Sequence, residues 1–173
     1  MGPNARLDPQ DSQVAERCDP SKRRAYAFLS RPLVADERLL VQVAGVQPSL
    51  SGSLSFGLTT CDPASLEGKT AELPSQLEDL LDRPEYWVFQ IGIPCGLDDK
   101  LVFVTRKDGK VEYSRNGGPF ESMMHIDGEE EFYVFFDIAG QVTKIRLLGT
   151  SHFPSLESLV HLLTAKAFLL SIA

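Results

Sequence analysis

The sequence predicts an all-β protein: an antiparallel β-sandwich with one short internal helix and one C-terminal helix. Three observations carry this. About nine short runs rich in aliphatic, β-branched and aromatic residues recur along the chain. Gly, Pro, Asn and Asp separate these runs about every 8–12 residues, the rhythm of a sandwich. The intervals are too short for the crossover helices that a parallel sheet needs. With 173 residues, 43% apolar and 24% charged, the chain has material for one domain with a real core.

The first ordered run is Tyr26-Ala27-Phe28-Leu29-Ser30, closed by Arg31-Pro32. Residues 1–24 hold three prolines, charges of both signs and few large apolar residues, so a disordered N-terminal arm is expected. Residues 33–37 read as a turn. Residues 38–44 form a strand rich in aliphatics, and residues 53–60 follow at hairpin distance. In that strand Leu54, Phe56 and Leu58 alternate with Ser53, Ser55, Gly57 and Thr59, the period of a strand with one buried face. Gly57 inside it suits a bulge or a close neighbour. Cys61-Asp62-Pro63 ends the strand in a rigid corner, because Pro63 fixes φ and the Asp62 carboxylate can turn back onto nearby backbone N–H groups.

Residues 62–85 break the β rhythm. Ser75 and Glu78 make a capping box, and Leu77, Leu80 and Leu81 share one helical face, so a short helix is expected over 75–82, lying across a sheet edge. Strands resume at 86–91, 101–106 and 110–114, the last two joined by Lys107-Asp108-Gly109, a strong hairpin signal. Asn116-Gly117-Gly118-Pro119 turns into a strand over 120–126. Residues 132–138 are nearly all apolar and are expected to be covered on both faces, and residues 142–148 alternate cleanly. Residues 155–172 hold no Gly or Pro, and Leu156, Leu159, Val160, Leu163, Ala167 and Leu170 fit one stripe of a C-terminal amphipathic helix. The expected domains are therefore an arm over 1–24, a β-sandwich over 25–150 and a helix over 151–173.

The net charge of −7 argues against a nucleic-acid partner, which would call for a basic face. Three cysteines without a CxxC pair fit a reducing compartment rather than a disulfide framework. No apolar run reaches the ~20 residues that span a bilayer, and a cytoplasmic location is expected. Catalytic motifs are absent: no Walker loop, HExxH or GxSxG. Cys61 and His125 could pair as nucleophile and base if the fold brought them together, and a packed strand-end thiol is the commoner use of such a cysteine. Glu129-Glu130-Glu131 lacks the spaced oxygen ligands of a calcium loop. The sequence thus predicts no catalytic residue, no metal and no cofactor. Candidate partner-binding residues are Asp62, Arg83, Tyr86, Trp87, Arg115 and Asn116, types enriched in interfaces or placed at turns and strand ends.

Residues 52–63, followed by Leu80-Leu81-Asp82-Arg83-Pro84-Glu85-Tyr86-Trp87, then Asn116-Gly117-Gly118-Pro119 and Phe135-Phe136-Asp137-Ile138-Ala139-Gly140, closely resemble the Neuralized homology repeat. Residues 26–32 and the pair Glu37-Arg38 resemble the start of that repeat. The ending Ile145-Arg146-Leu147-Leu148-Gly149-Thr150 looks more like the second repeat of Neuralized proteins than the first. The resemblance covers about residues 25–150, without the family's first strand before Tyr26.

The resemblance implies a concanavalin-like or SPRY-like sandwich that binds a protein partner. In the family such repeats accompany a RING finger in E3 ubiquitin ligases acting on Notch ligands and their endocytosis. A RING needs eight Cys/His ligands for two zinc ions. This chain has three Cys and three His, so ligase activity is expected in a separate domain. A second expectation, from a different class, is a lipid- or carbohydrate-binding sandwich. It would be held at the plasma membrane or endosomes by weak anionic-lipid contact through Lys22, Arg23 and Arg24 and the C-terminal helix.

Overall fold

The computed structural model describes residues 4–19, 21, 25–66, 73–74, 77–92, 94–127, 130–152 and 170–171. Among them are twelve strands: β1 (Ala5–Asp8), β2 (Asp11–Arg17), β3 (Tyr26–Pro32), β4 (Glu37–Val46), β5 (Ser55–Thr59), β6 (Tyr86–Gln90), β7 (Lys100–Thr105), β8 (Lys110–Arg115), β9 (Glu121–His125), β10 (Tyr133–Asp137), β11 (Val142–His152) and β12 (Leu170–Ser171). A single 3-10 turn (Pro63–Leu66) and helix α1 (Leu77–Leu81) lie between β5 and β6. The strands form two sheets, β1-β2-β11-β4-β7-β8-β9 and β12-β3-β10-β5-β6. All pairings are antiparallel.

The nine strands expected from alternation and turn signals are all present. The Asp108-Gly109 hairpin forms as expected, with Gly109 at φ 84°. Asn116 and Gly117, at φ 53° and 75°, occupy the two positive-φ positions of a tight turn closed by the Gly118 N–H donating to the Arg115 carbonyl at 2.9 Å. The strand over 53–60 does not pair with its predecessor, contrary to expectation. β4 belongs to the larger sheet and β5 to the smaller, so the connection over 47–54 crosses the sandwich.

The expected disordered arm is corrected: β1 and β2 form a hairpin, and β2 pairs with β11. Val14 and Ala15 are buried. Charges of this segment form cross-strand pairs. Glu16 meets Arg6 at 2.5 Å and Lys144 at 2.8 Å, and Arg146 meets Asp11 at 3.1 Å. The expected C-terminal helix falls largely on residues 153–169, outside the described residues. At its far end Leu170 and Ser171 are extended and pair with Leu29 and Phe28, so these two positions are strand and cover the free edge of β3. The capping residue Ser75 also lies outside the described residues. α1 packs on β6, the edge strand of the smaller sheet, with Leu80 among the outer-face aromatics described below.

Two hydrophobic clusters follow. The inner one joins the sheets: Phe56 of β5 stacks on Phe103 of β7 with centroids 4.5 Å apart, and Phe136 packs edge-on to Phe56. The outer cluster lies on the far face of the smaller sheet and gathers Tyr26, Phe28, Leu80, Tyr86 and Phe135. Its centre is Phe135, fully buried, stacked on Phe28 at 5.3 Å and edge-on to Tyr26 and Tyr86. The ring lies over Gly57, its partner across the β10–β5 pair. A Cβ on Gly57 would come within 2.1 Å of the ring. β10 is therefore covered on both faces, as its composition predicts.

A polar clasp holds the crossing from β6 to β7. Asp99 accepts hydrogen bonds from the Gly96 N–H at 2.5 Å, from Asn116 Nδ2 at 2.7 Å and from Arg115 Nη2 at 2.5 Å. Arg115 also donates to the Pro94 carbonyl at 3.0 Å. Burial alone would raise the Asp99 carboxyl, but the donors from Asn116, Gly96 and Arg115 outweigh it and hold the group below its ordinary value.

Two predictions follow from these contacts. Gly57→Ala should lower the unfolding free energy by about 2–3 kcal/mol, since the ring must leave its place to admit the methyl group; chemical denaturation measures it. Asp99→Asn should cost about 2 kcal/mol at neutral pH through lost charge-assisted hydrogen bonds. A depressed native pKa contributes stability above the unfolded value of about 3.9, and this is lost as pH falls through the native value. The gap between wild type and Asp99→Asn should therefore close below about pH 4 in urea titrations taken across pH.

Candidate functional site

The register of β5 against β6 sets Thr59 opposite Tyr86 and Ser55 opposite Gln90. Asp62, just beyond β5, and Arg83, just before β6, therefore share one end of the sandwich with Tyr86 and Trp87. Arg115 sits opposite Leu101 at the start of β7 and reaches Pro94 in the segment that follows β6. Arg115 and Asn116 thus lie at the opposite end. The six residues expected to act together are split into two groups, and the side-chain donors of the second group serve the Asp99 clasp.

Asp62 is the corner its sequence suggests. Its Oδ1 accepts from the Ala64 N–H at 2.9 Å, and its carbonyl accepts from the Ser65 N–H at 2.9 Å and Oγ at 2.7 Å. These bonds start the 3-10 turn. Tyr86 is a core residue, buried against Phe135, with its hydroxyl close to Cys61 and Thr59. Burial and the neighbouring Cys61 thiol push its pKa up to about 12, so it stays neutral. Cys61 packs against the same outer cluster, the use expected of a strand-end thiol. His125 is exposed on β9.

Trp87 is half-buried. One side packs edge-on to Phe132 with centroids 5.2 Å apart. With Leu81, Arg83, Phe89, Met123 and Met124 it lines a groove of about 370 Å³. β6 ends the smaller sheet and β9 ends the larger one, so the groove runs along the two sheet edges on this side of the sandwich. Leu81 is 58% exposed at its rim. Arg83 is held by the turn from α1 into β6, in which the Arg83 N–H donates to the Leu80 carbonyl and the Tyr86 N–H to the Arg83 carbonyl, both at 3.1 Å.

The arrangement offers an apolar floor with an aromatic wall, Arg83 at the rim and the end strands of both sheets. Those are the elements that capture an extended peptide. Sequence reasoning found Arg83 and Trp87 but not Met123, Met124 or Leu81. The Met123-Met124 pair on an edge strand was the available signal, since adaptable thioethers suit binding surfaces. Among the described residues no group of three or more His, Cys, Asp and Glu is placed to hold a metal ion, and no helix is long and apolar enough to cross a membrane. Lys22, Arg23 and Arg24 lie outside the described residues.

Comparison with known proteins bears on the family and the fold. The profile of the family described as Neuralized matches residues 1–149, so the match takes in the β1–β2 hairpin. Protein neuralized of Drosophila melanogaster is 36% identical over 148 residues, covering 84% of this chain and 19% of that protein. The E3 ubiquitin-protein ligase NEURL1B of Homo sapiens is 38% identical over 152 residues, covering 86% of this chain and 27% of that protein. The chain spans between about a fifth and about a quarter of the length of these curated relatives. The crystal structure of the Drosophila melanogaster neuralized-NHR1 domain superposes with a TM-score of 0.75 at 28% identity, covering 86% of this chain and 93% of that one. The SPRY domain of human HERC1 shares the fold at a TM-score of 0.54 and 10% identity, covering 85% of this chain and 95% of that one. The fold is thus the SPRY-like β-sandwich that the family resemblance implied. By the match over residues 1–149 and the shared architecture, the chain belongs to the Neuralized family.

Proposed function

We propose that this domain is a protein-interaction module that takes an extended segment of a partner protein into the groove between β6 and β9. The observation that carries this reading is the groove itself: Trp87, Met123 and Met124 in its walls and an exposed Leu81 at the rim, set between two sheet edges. An incoming strand can pair with an edge while its alternate side chains fill the apolar floor. Arg83 supplies the charge that would recognise a carboxylate on the segment. Asp62 stands at the same end as a turn former that shapes the corner.

Family membership supports a role in a ubiquitin ligase pathway. In this reading the domain selects what is ubiquitinated, and the transfer chemistry belongs to a separate RING domain. The proposed partners are the cytoplasmic tails of Notch ligands of the Delta and Jagged type, with endocytosis of the ligand as the outcome. The corresponding location is the cytoplasm, at the inner surface of the plasma membrane or endosomes where such tails lie.

Trp87 is the chain's single tryptophan, so its emission reports on the groove alone. Titration with a Notch-ligand tail should shift or quench that emission saturably. Arg83→Ala and Leu81→Asp should each weaken the tail's affinity by about tenfold or more, the loss expected of a central interface residue. Binding that leaves the emission unmoved and survives both substitutions would place the partner elsewhere on the domain.

A further inference from the structure

A second pocket of about 410 Å³ opens at the opposite end of the sandwich, lined by Arg17, Gly52, Ser55, Gln90, Asp137 and Gly140 among others. Its location follows from the register: Ser55 sits opposite both Gln90 of β6 and Asp137 of β10. Arg17 enters from the larger sheet at the end of β2. The pocket thus bridges the two sheets, far along β5 and β6 from Arg83.

Its polar groups are unusually deep. Arg17 is 7% exposed, Ser55 1% and Asp137 0%. Arg17 Nη2 donates to the Gly140 carbonyl at 2.6 Å. Arg17 Nε and Ser55 Oγ, both buried, have no hydrogen-bond partner among the described residues. A buried donor left unmet costs about 1–3 kcal/mol, so two such groups just behind the wall of a pocket would be stabilised by an acceptor that reached them from it.

Charge decides what enters. Burial lowers the affinity of the Arg17 guanidinium for its proton, and the attraction of Asp137 and Asp19 acts against that. The cation is therefore already balanced by a buried carboxylate lining the same cavity. An incoming anion would meet Asp137, and an incoming cation would meet Arg17. A neutral group with a strong acceptor meets neither cost, and the acceptor satisfies the Arg17 Nε–H and the Ser55 hydroxyl. The wall is also backbone-lined. Gly52 and Gly140, at φ 100° and 57°, pack so closely that a Cβ on Gly140 would fall 2.2 Å from the Gly52 carbonyl carbon.

We infer that this pocket is a second ligand site that binds a neutral amide, its carbonyl oxygen accepting from Arg17 Nε–H and Ser55 Oγ–H once a small shift of the wall uncovers them. The amide is a main-chain peptide group or a side-chain carboxamide of a protein segment. This inference stands on the pocket's own geometry and does not depend on the groove at β6.

The test is a ¹H–¹⁵N NMR titration of the full chain with three probes. N-acetylglycine N-methylamide presents peptide groups, propionamide a carboxamide, and acetate an anion. Saturable shifts at the Gly52, Ser53 and Gly140 amides and at the Arg17 Nε–H are expected from an amide probe and not from acetate. The tighter of the two amides identifies the source. Arg17→Lys keeps the charge but removes the Nε–H at its place, and Ser55→Ala removes the hydroxyl with little change in volume. Each should weaken the amide probe by about tenfold while the remaining spectrum shows a folded domain. Leu81→Asp, in the groove, should leave the amide response unchanged, so failure of one site is distinguishable from failure of the other. Acetate shifting the same resonances as strongly, amide affinity unchanged in both pocket variants, or no saturable shift from any probe would overturn the inference.

Discussion

Phe135 lies across Gly57, and much of the smaller sheet's outer face depends on that contact. A sheet face is pleated, and a residue opposite a large ring must give way or the ring must turn aside. Gly57 gives way completely, because it carries no Cβ. The ring can then stack on Phe28 and meet Tyr26 and Tyr86 edge-on. Burial of a side chain of that size contributes roughly 1.5–3 kcal/mol, and edge-to-face aromatic pairs add roughly 0.5–1.5 kcal/mol each. The glycine therefore costs the strand local propensity and returns it as a second hydrophobic cluster.

That cluster is what holds the excursion between β5 and β6 against the sheet. Leu80 of α1 is buried in it, and Leu66 and Leu73 pack on it. With α1 fixed, the turn through Arg83 into Tyr86 is fixed, and with it the rim of the groove. The chain of dependence runs from a missing side chain, through an aromatic stack, to the position of Leu81, Arg83 and Trp87. The opposite end is organised by different physics. There the Asp99 clasp and the buried Arg17, which donates to the Gly140 carbonyl, set loops by charge-assisted hydrogen bonds, which fix direction more strictly than apolar packing does. One domain thus carries an apolar groove at one end and a balanced polar pocket at the other.

Much of the fold was legible because strand period and turn chemistry are local. Leu54, Phe56 and Leu58 declare the face turned to the inner core, although the other face of β5 is buried as well rather than exposed, and Asp108-Gly109 and Asn116-Gly117 declare their turns. Three features were not legible, each for a physical reason. The β1–β2 hairpin hides in a charged segment, since Glu16 looks solvated until Arg6 and Lys144 are brought beside it across strands. The crossings over 47–54 and between β6 and β7 give no sign of which sheet receives the next strand. For that reason Arg115 and Asn116 seemed to join Arg83, although the sandwich places them at its far end. Arg17 carries no signal at all in sequence, because its burial depends on Gly140, 123 positions away. Trp87 and Arg83, which line the groove, were candidates because their residue types are those that interfaces favour.

The dependence of the groove on the outer aromatic cluster can be measured directly by amide hydrogen exchange on wild type and Phe135→Leu. Leucine keeps the site apolar but removes the stack, so protection should fall over residues 77–87 while β4, β7 and β11 of the larger sheet stay protected. An even loss over both sheets, or undiminished protection over 77–87, would contradict the claim that Phe135 on Gly57 is what positions the rim of the groove.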